Sequence, residues 1–153
     1  GAEAKIRKYL IDNNYVDTVI QLPGDLFFGT TIATCIIVLK KSKRDNKILF
    51  IDGTNEFVRN GNKNRLTEDN RQRILDAYVG RTDLPYFARL VDYADIAAND
   101  YKIAVSSYVQ PEDTRQEVDI LALNAQIARI VARQSELRVQ IDAIVADLEG
   151  EDS

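Results

Sequence analysis

Residues 16–41 read VDTVIQLPGDLFFGTTIATCIIVLKK, and the fold turns on them. The apolar run over 16–22 predicts a buried strand. A second, more apolar run over 33–39, extendable to 31–40, shows no polar alternation and predicts a strand covered on both faces. Between them, Pro23-Gly24-Asp25 is turn chemistry, because proline presets φ and glycine tolerates positive φ. Phe27 and Phe28 therefore fall in or beside a loop at a sheet edge. Two adjacent aromatics are costly there unless they pack or bind something.

Upstream, residues 3–13 place Ile6, Tyr9 and Leu10 at helical spacing among Lys5, Arg7 and Lys8, and Asn13-Asn14 stops that helix. Downstream, KKSKRDNK over 40–47 predicts a polar, hairpin-like loop, and KILFID over 47–52 predicts a third strand. Residues 53–66 are Asn/Gly-rich and read as loop. Thr67 is a good N-cap for a helix reaching Tyr78, with Glu68 and Asp69 in its first turn and Ile74, Leu75 and Tyr78 turned to the body. A short strand over 87–91, a short helix near 94–98 and an extended stretch over 101–109 complete this part. A helix and three strands without further alternation make a partial α/β unit, not a complete doubly wound domain.

The C-terminal pattern is the most regular. Thr114 to Glu117 reads as a capping box. Ile120, Leu123, Ile127, Ile130, Gln134, Leu137, Ile141, Ile144 and Leu148 then alternate at spacings of three and four, an a/d seam interrupted only by Gln134. Val131 and Val145 widen the stripe, so a bundle and a two-stranded coil both fit. Gly150 sits where a helix stop belongs. A helix of roughly 35 residues is about 50 Å long, against about 26 Å for a compact body built from the remaining residues. It is expected to project and to need a partner along its seam.

Composition narrows the function classes. The 153 residues are 45% hydrophobic and 29% charged, which is ordinary for a globular protein, and no apolar run has the length of a membrane span. No signal-peptide pattern is present at the start. With no histidine and one cysteine, zinc sites, Ser-His-Asp triads and Cys-His dyads are excluded within the chain. Cys35 lies in the most apolar run and is expected to be a buried thiol, in keeping with a reducing cytoplasm. The absence of methionine points to a piece of a larger protein. Residues 1–81 hold 14 Lys/Arg against 10 Asp/Glu, and residues 82–153 hold 6 against 14. The net charge of −4 makes the chain a poor free-standing DNA binder, although its front half can flank DNA within something larger.

The segment LPGDLFFGTTIATCIIVLKK keeps every fixed position of LPxxLFxxTxIxTxIxVLxK. In this it resembles the last strands of the N6-adenine DNA methyltransferase domain in the M (modification) subunit of Type I restriction–modification systems. LVDYADIAANDYKIAVSSYV resembles the segment that follows that domain, except that Ser107 stands where the family has arginine. The resemblance implies the C-terminal strands of a Rossmann-like class I methyltransferase sheet over 1–58, an intermediate helix/strand region over 59–111 and a long coiled-coil-type assembly helix over 112–150. It implies methyl transfer from S-adenosylmethionine to adenine N6, with the DNA site chosen by a separate S (specificity) subunit and an R subunit in the same system.

Asp83-Leu84-Pro85-Tyr86 imitates the (D/N)PP(Y/F) motif of these enzymes, but its second position is leucine and it follows the terminal strands where the motif precedes them. A proline-initiated turn explains it better. No Gly-rich loop follows a leading strand. The resemblance thus implies that cofactor and catalytic residues lie outside this chain, and that the chain alone is inert. What carries over is narrow. Phe27, with Phe28 beside it, matches the aromatic that packs on the flipped-out base, against the alternative that both rings pin the loop. Thr30 either meets a DNA phosphate or starts the strand. Lys40, Lys41, Lys43 and Arg44 either meet phosphates or form a solvated loop. The resemblance also implies that the seam residues dock the S subunit. A non-enzymatic module dimerised by its helix, and a fused restriction–methylation enzyme, remain open.

Overall fold

The computed structural model describes residues 1–113 and 119–150. Gly1–Glu112 form one unit and Asp113–Ser153 a second. The first unit contains α1 (Ala2–Asp12), β1 (Val16–Gln21), β2 (Cys35–Leu39), β3 (Lys47–Asp52), β4 (Val58–Asn60), β5 (Lys63–Arg65), α2 (Glu68–Gly80), β6 (Ala88–Asp92) and α3 (Tyr93–Ala98). The second contains α4 (Ile120–Gly150).

The main sheet is mixed, in the order β2-β1-β3-β6. β1 runs antiparallel to β2 and parallel to β3, and β3 runs antiparallel to β6. β3 shows why the sheet is sandwiched. Its side chains alternate between faces, so Ile48 and Phe50 enter one apolar cluster while Leu49 and Ile51 enter the other. The first cluster gathers Ile11 of α1, Ile96 of α3 and Val105, Tyr108 and Val109; Tyr108 stacks on Phe50 with ring centroids 4.3 Å apart. The second gathers Ala77, Ile74 and Tyr78 of α2. In β1 the register shifts between Val16 and Thr18, which leaves Asp17 as the extra residue of a bulge. The shift lets Val16 and Val19, three residues apart, reach the same cluster.

Several expectations are corrected. β2 is not covered on both faces: it is the edge strand, and Ile36, Ile37 and Leu39 are exposed. Cys35 is accordingly exposed, not a buried thiol. Residues 40–46 are no hairpin loop, since β1 lies between β2 and β3 and the link must cross it. Residues 53–66 are not all loop. β4 and β5 pair antiparallel across Gly61 and Asn62, and Gly61 at φ +60 supplies the positive φ that a two-residue hairpin turn needs at its first position. β4 runs from Val58 to Asn60. Leu75 is half-exposed and Ala77 is the buried residue of α2. Residues 101–109 are not extended: Val105–Ser107 form a 3-10 turn, which brings Val105, Tyr108 and Val109 to the core at helical spacing.

α2 starts on a capping box. The Thr67 hydroxyl accepts from the Asn70 amide at 3.2 Å, and the Asn70 side-chain oxygen accepts from the Thr67 amide at 2.9 Å. Thr114 to Glu117 lie outside the described residues. At the start of α4 as described, the Asp119 carboxylate accepts from the Leu121 and Ala122 amides at 3.0 and 3.1 Å. The helix is 31 residues long, and Ile120, Leu123, Ile127, Ile130, Leu137, Ile141, Ile144 and Leu148 are all exposed.

Candidate functional site

The loop from Pro23 to Ala33 joins β1 to β2. It is closed at its base, where the Leu22 amide donates to the Thr34 carbonyl at 2.8 Å and the Asp25 amide to the Thr31 carbonyl at 3.3 Å. The closure demands glycine at position 24, because a Cβ there would lie 2.9 Å from the Thr31 carbonyl oxygen. Gly29 turns the tip at φ +79, and the Ile32 amide donates back to the Thr30 hydroxyl at 3.1 Å. The tip carries Phe27, 49% exposed, and Phe28, 100% exposed. Neither ring has an aromatic partner among the described residues. An ordered loop thus presents two rings to solvent.

The hairpin β4–β5 holds the loop from the side. Asn64 donates through its side-chain amide to the Gly24 carbonyl at 2.8 Å and through its backbone amide to the Asp25 carbonyl at 2.9 Å. The Lys63 ammonium donates to the Thr30 carbonyl at 3.0 Å. Arg59 reaches the Asp25 carboxylate at 3.3 Å and the Asn64 side-chain oxygen at 3.1 Å. Nothing in the local sequence pattern marks Arg59, Lys63 and Asn64 for this role. The signal in the sequence is Gly61-Asn62, a glycine-first pair typical of two-residue hairpin turns.

The cations of 40–44 are not beside this loop. They follow β2, whereas the aromatic loop precedes it, so about 17 Å of strand separates the two groups. Lys40 pairs with the Asp17 carboxylate at 3.3 Å and lies 5.3 Å from the centre of the Tyr78 ring. Tyr78, then Asp17, holds its ammonium above the ordinary lysine range against a smaller opposing effect of burial. Lys41 and Arg44 are exposed. Lys43 departs from the picture of a solvated loop. Its side chain is 4% exposed and donates inward, to the Val16 carbonyl at 2.8 Å and the Asn14 side chain at 3.1 Å. Burial pushes its pKa down.

Asp83, Leu84, Pro85 and Tyr86 form a turn. The Phe87 and Ala88 amides donate to the Leu84 carbonyl at 3.1 and 3.0 Å, and the Asp83 carboxylate accepts from the Leu90 amide at 2.8 Å. That carboxylate has a backbone role.

Two apolar grooves flank β2. One, of about 640 Å³, is lined by Ile6, Leu10, Val19, Cys35, Ile37 and Ile103 among others. The other, of about 460 Å³, is lined by Ile20, Leu22, Ile36, Val38, Ile74 and Tyr78 among others. β2 has a strand partner on one side only among the described residues. Apolar faces beside an unpaired strand edge mark a surface built to be covered. No group of acidic, cysteine or histidine side chains that could hold a metal ion occurs among the described residues, and none of the described helices is long and apolar enough to cross a membrane.

The profile of the N-6 DNA Methylase family matches residues 1–117. The chain is 46% identical over 150 residues to the Type I restriction enzyme MpnII methylase subunit of Mycoplasma pneumoniae, covering 97% of this chain and 27% of that one. It is 33% identical over 156 residues to the MjaVII methylase subunit of Methanocaldococcus jannaschii, covering 98% and 26%. It also superposes on the crystal structure of the type I restriction-modification methyltransferase subunit from Streptococcus thermophilus with a TM-score of 0.71 and 40% identity, over 72% of this chain and 24% of that one. The chain therefore spans about a quarter of the length of these relatives.

Proposed function

The chain belongs to the N-6 DNA methylase family, and on that premise we propose that it is the C-terminal part of the M subunit of a Type I restriction–modification system, supplying the loop that meets the target base. In the intact protein the reaction is methyl transfer from S-adenosylmethionine to the N6 amine of adenine at a DNA site chosen by the S subunit, with an R subunit in the same cytoplasmic system.

The observation that carries this reading is the aromatic loop: Phe27 and Phe28 are exposed on a backbone that hydrogen bonds hold on both arms. Apolar rings left in water are unfavourable, and a flipped-out base is the kind of flat, apolar-faced ligand that offsets the loss. Phe27, the half-buried ring, is the one we assign to the base, with Phe28 beside it. Thr30 lies next to them, but its hydroxyl accepts from its own loop, so a phosphate contact there runs through its remaining capacity. Lys40, Lys41 and Arg44 are assigned to more distant phosphates of the same duplex, and Lys43 is left out because its ammonium is turned inward.

We read β2-β1-β3-β6 as the closing strands of a Rossmann-like sheet that continues past the open edge of β2. By role, 1–58 supplies β2, β1 and β3 of that sheet, 59–111 adds β6 and braces it, and 112–150 is the assembly helix whose seam docks the S subunit. Neither the grooves beside β2 nor Asp83 is assigned to S-adenosylmethionine. The grooves beside β2 are apolar, and the Asp83 carboxylate is taken by a backbone amide. No step of the chemistry is assigned to this chain beyond holding the base.

The test is Phe27→Ala in the intact subunit assembled with its S subunit. Turnover falls at least about tenfold while the melting temperature stays nearly unchanged, because a stacking contact made only with the extruded base is absent from the free protein. A large loss of thermal stability with turnover per folded molecule intact would show that the ring only pins the loop.

A further inference from the structure

Leu26 packs against the second cluster, but Phe27 is half-exposed and Phe28 wholly so, and burial of the rings does not by itself fix the tip of the loop that carries them. We propose that the hairpin β4–β5 sets the pose of the aromatic loop, with Asn64 as the positioning residue; this rests on the reading that Phe27 meets the target base. The hairpin grips the loop on both sides of the two rings. Asn64 holds the outgoing arm at the Gly24 and Asp25 carbonyls, and Lys63 holds the returning arm at the Thr30 carbonyl. Arg59 ties these grips together, pairing with the Asp25 carboxylate and donating to the Asn64 side-chain oxygen. Asn64 thus uses its side-chain amide, its side-chain carbonyl and its backbone amide at once, which neither alanine nor aspartate can reproduce.

The hairpin is itself rooted. Just before β4, Glu56 is buried and accepts from the Asn70 side chain at 3.1 Å, and it pairs with Arg73 of α2. Just after β5, Leu66 packs into the cluster under α2, and Thr67 caps that helix. A continuous set of contacts therefore runs from α2, which lies on the sheet, through the hairpin to the loop tip. Chemistry on an extruded base is sensitive to displacements of about 1 Å; Pro23 and Leu26 anchor the outgoing arm by packing, and from Phe27 to Thr30 the loop keeps its place through these polar bonds.

Asn64→Asp tests this in the intact subunit with its S subunit, unmethylated genomic DNA and tritiated S-adenosylmethionine. Aspartate keeps the size and the acceptor for Arg59 but loses the donor to Gly24. The expected result is a drop in kcat of about tenfold or more with KM for DNA changed less than about threefold. Hydrogen exchange at the amides of 25–32 accelerates while the rest of the sheet is unchanged. In a Phe27→Ala background the same substitution costs less than about twofold more, because both act through one contact. Multiplying effects in the double variant, or unchanged exchange in the loop, would overturn the proposal. Should Phe27→Ala alone leave kcat intact, the base-stacking reading fails separately, and the exchange measurement still decides whether the hairpin holds the loop. Asn64→Ala repeats the exchange measurement without a new charge, and slow exchange there also counts against the proposal.

Discussion

In β3 the side chains of Leu49, Phe50 and Ile51 are fully out of solvent, while in β2, no less apolar, Ile36 is 47% and Ile37 42% exposed. The two strands differ in what surrounds them. β3 has β1 on one side, β6 on the other, α1 and α3 over one face and α2 over the other. Among the described residues β2 has β1 alone and ends the sheet. An apolar run therefore states how much cover a strand requires, and its neighbours decide whether the cover is there. α4 repeats the lesson in helical form, with a seam of isoleucine and leucine that is exposed from end to end.

The contrast predicts a steep gradient of mutational cost. Phe50→Ala, which removes a ring stacked on Tyr108 inside the first cluster, should cost about 3–5 kcal/mol in urea unfolding. A cost below about 1 kcal/mol would mean that β3 is not the centre of the fold. On the exposed side the large effect is expected in association. Ile127→Asp together with Leu137→Asp should weaken capture of the S subunit by at least about a hundredfold, with helix content by circular dichroism unchanged. Undiminished co-purification would assign docking to another surface. Between these lies Ile37→Ser. In the intact subunit it should cost about 1.5–3 kcal/mol, as for a side chain buried under further sheet, and equal solvent exposure of Ile37 in that protein, with a cost under about 0.5 kcal/mol, would mean that β2 is a true edge.

Much of this was legible in the sequence where the signal is local. KILFID becomes β3 over the same residues, and Thr67 caps α2, although the box is completed by Asn70 and not by an acidic residue. The pairing order was not legible, because it depends on contacts far apart in sequence. A short polar link such as 40–46 reads as a hairpin, yet its span of about 20 Å exceeds the roughly 10 Å between strands two places apart, so it can pass β1. The exposure of β2 is hidden for the same reason: hydrophobicity reports the cover a strand requires, not the neighbours that supply it. At the candidate site the rings of Phe27 and Phe28 stood out because exposed aromatics are costly. Asn64 did not, since its role appears only when the hairpin folds onto a loop forty residues upstream, and its neighbours Arg59 and Lys63 carry no apolar alternation to announce a strand.

Smaller effects probe the cover over β3. Thr67→Ala removes the cap of α2 and should lower stability by about 1 kcal/mol; a neutral result would mean that packing of Ala77 and Ile74 alone holds the helix in place.

The smallest effect concerns an inversion of the usual rule: in the link between the two strands, Lys43 is more buried than the isoleucines of the strand before it. Burial lowers its pKa, opposed by Asp45 and Asp17 and reinforced by Arg81 and Lys40. The unfolded chain, with lysine near its ordinary value of about 10.4, then binds more protons than the folded one as pH approaches that value from below. Stability contributed by this group must therefore rise with pH in that window. Lys8 and Lys40 are shifted the other way and lose their contribution only at higher pH, so the comparison isolates Lys43. The stability of the natural protein relative to Lys43→Met, followed by urea unfolding from pH 8 upward, should increase toward pH 10.4. A flat or falling difference would show that the ammonium at this position is as well solvated as the charged groups of its exposed neighbours Lys41 and Arg44.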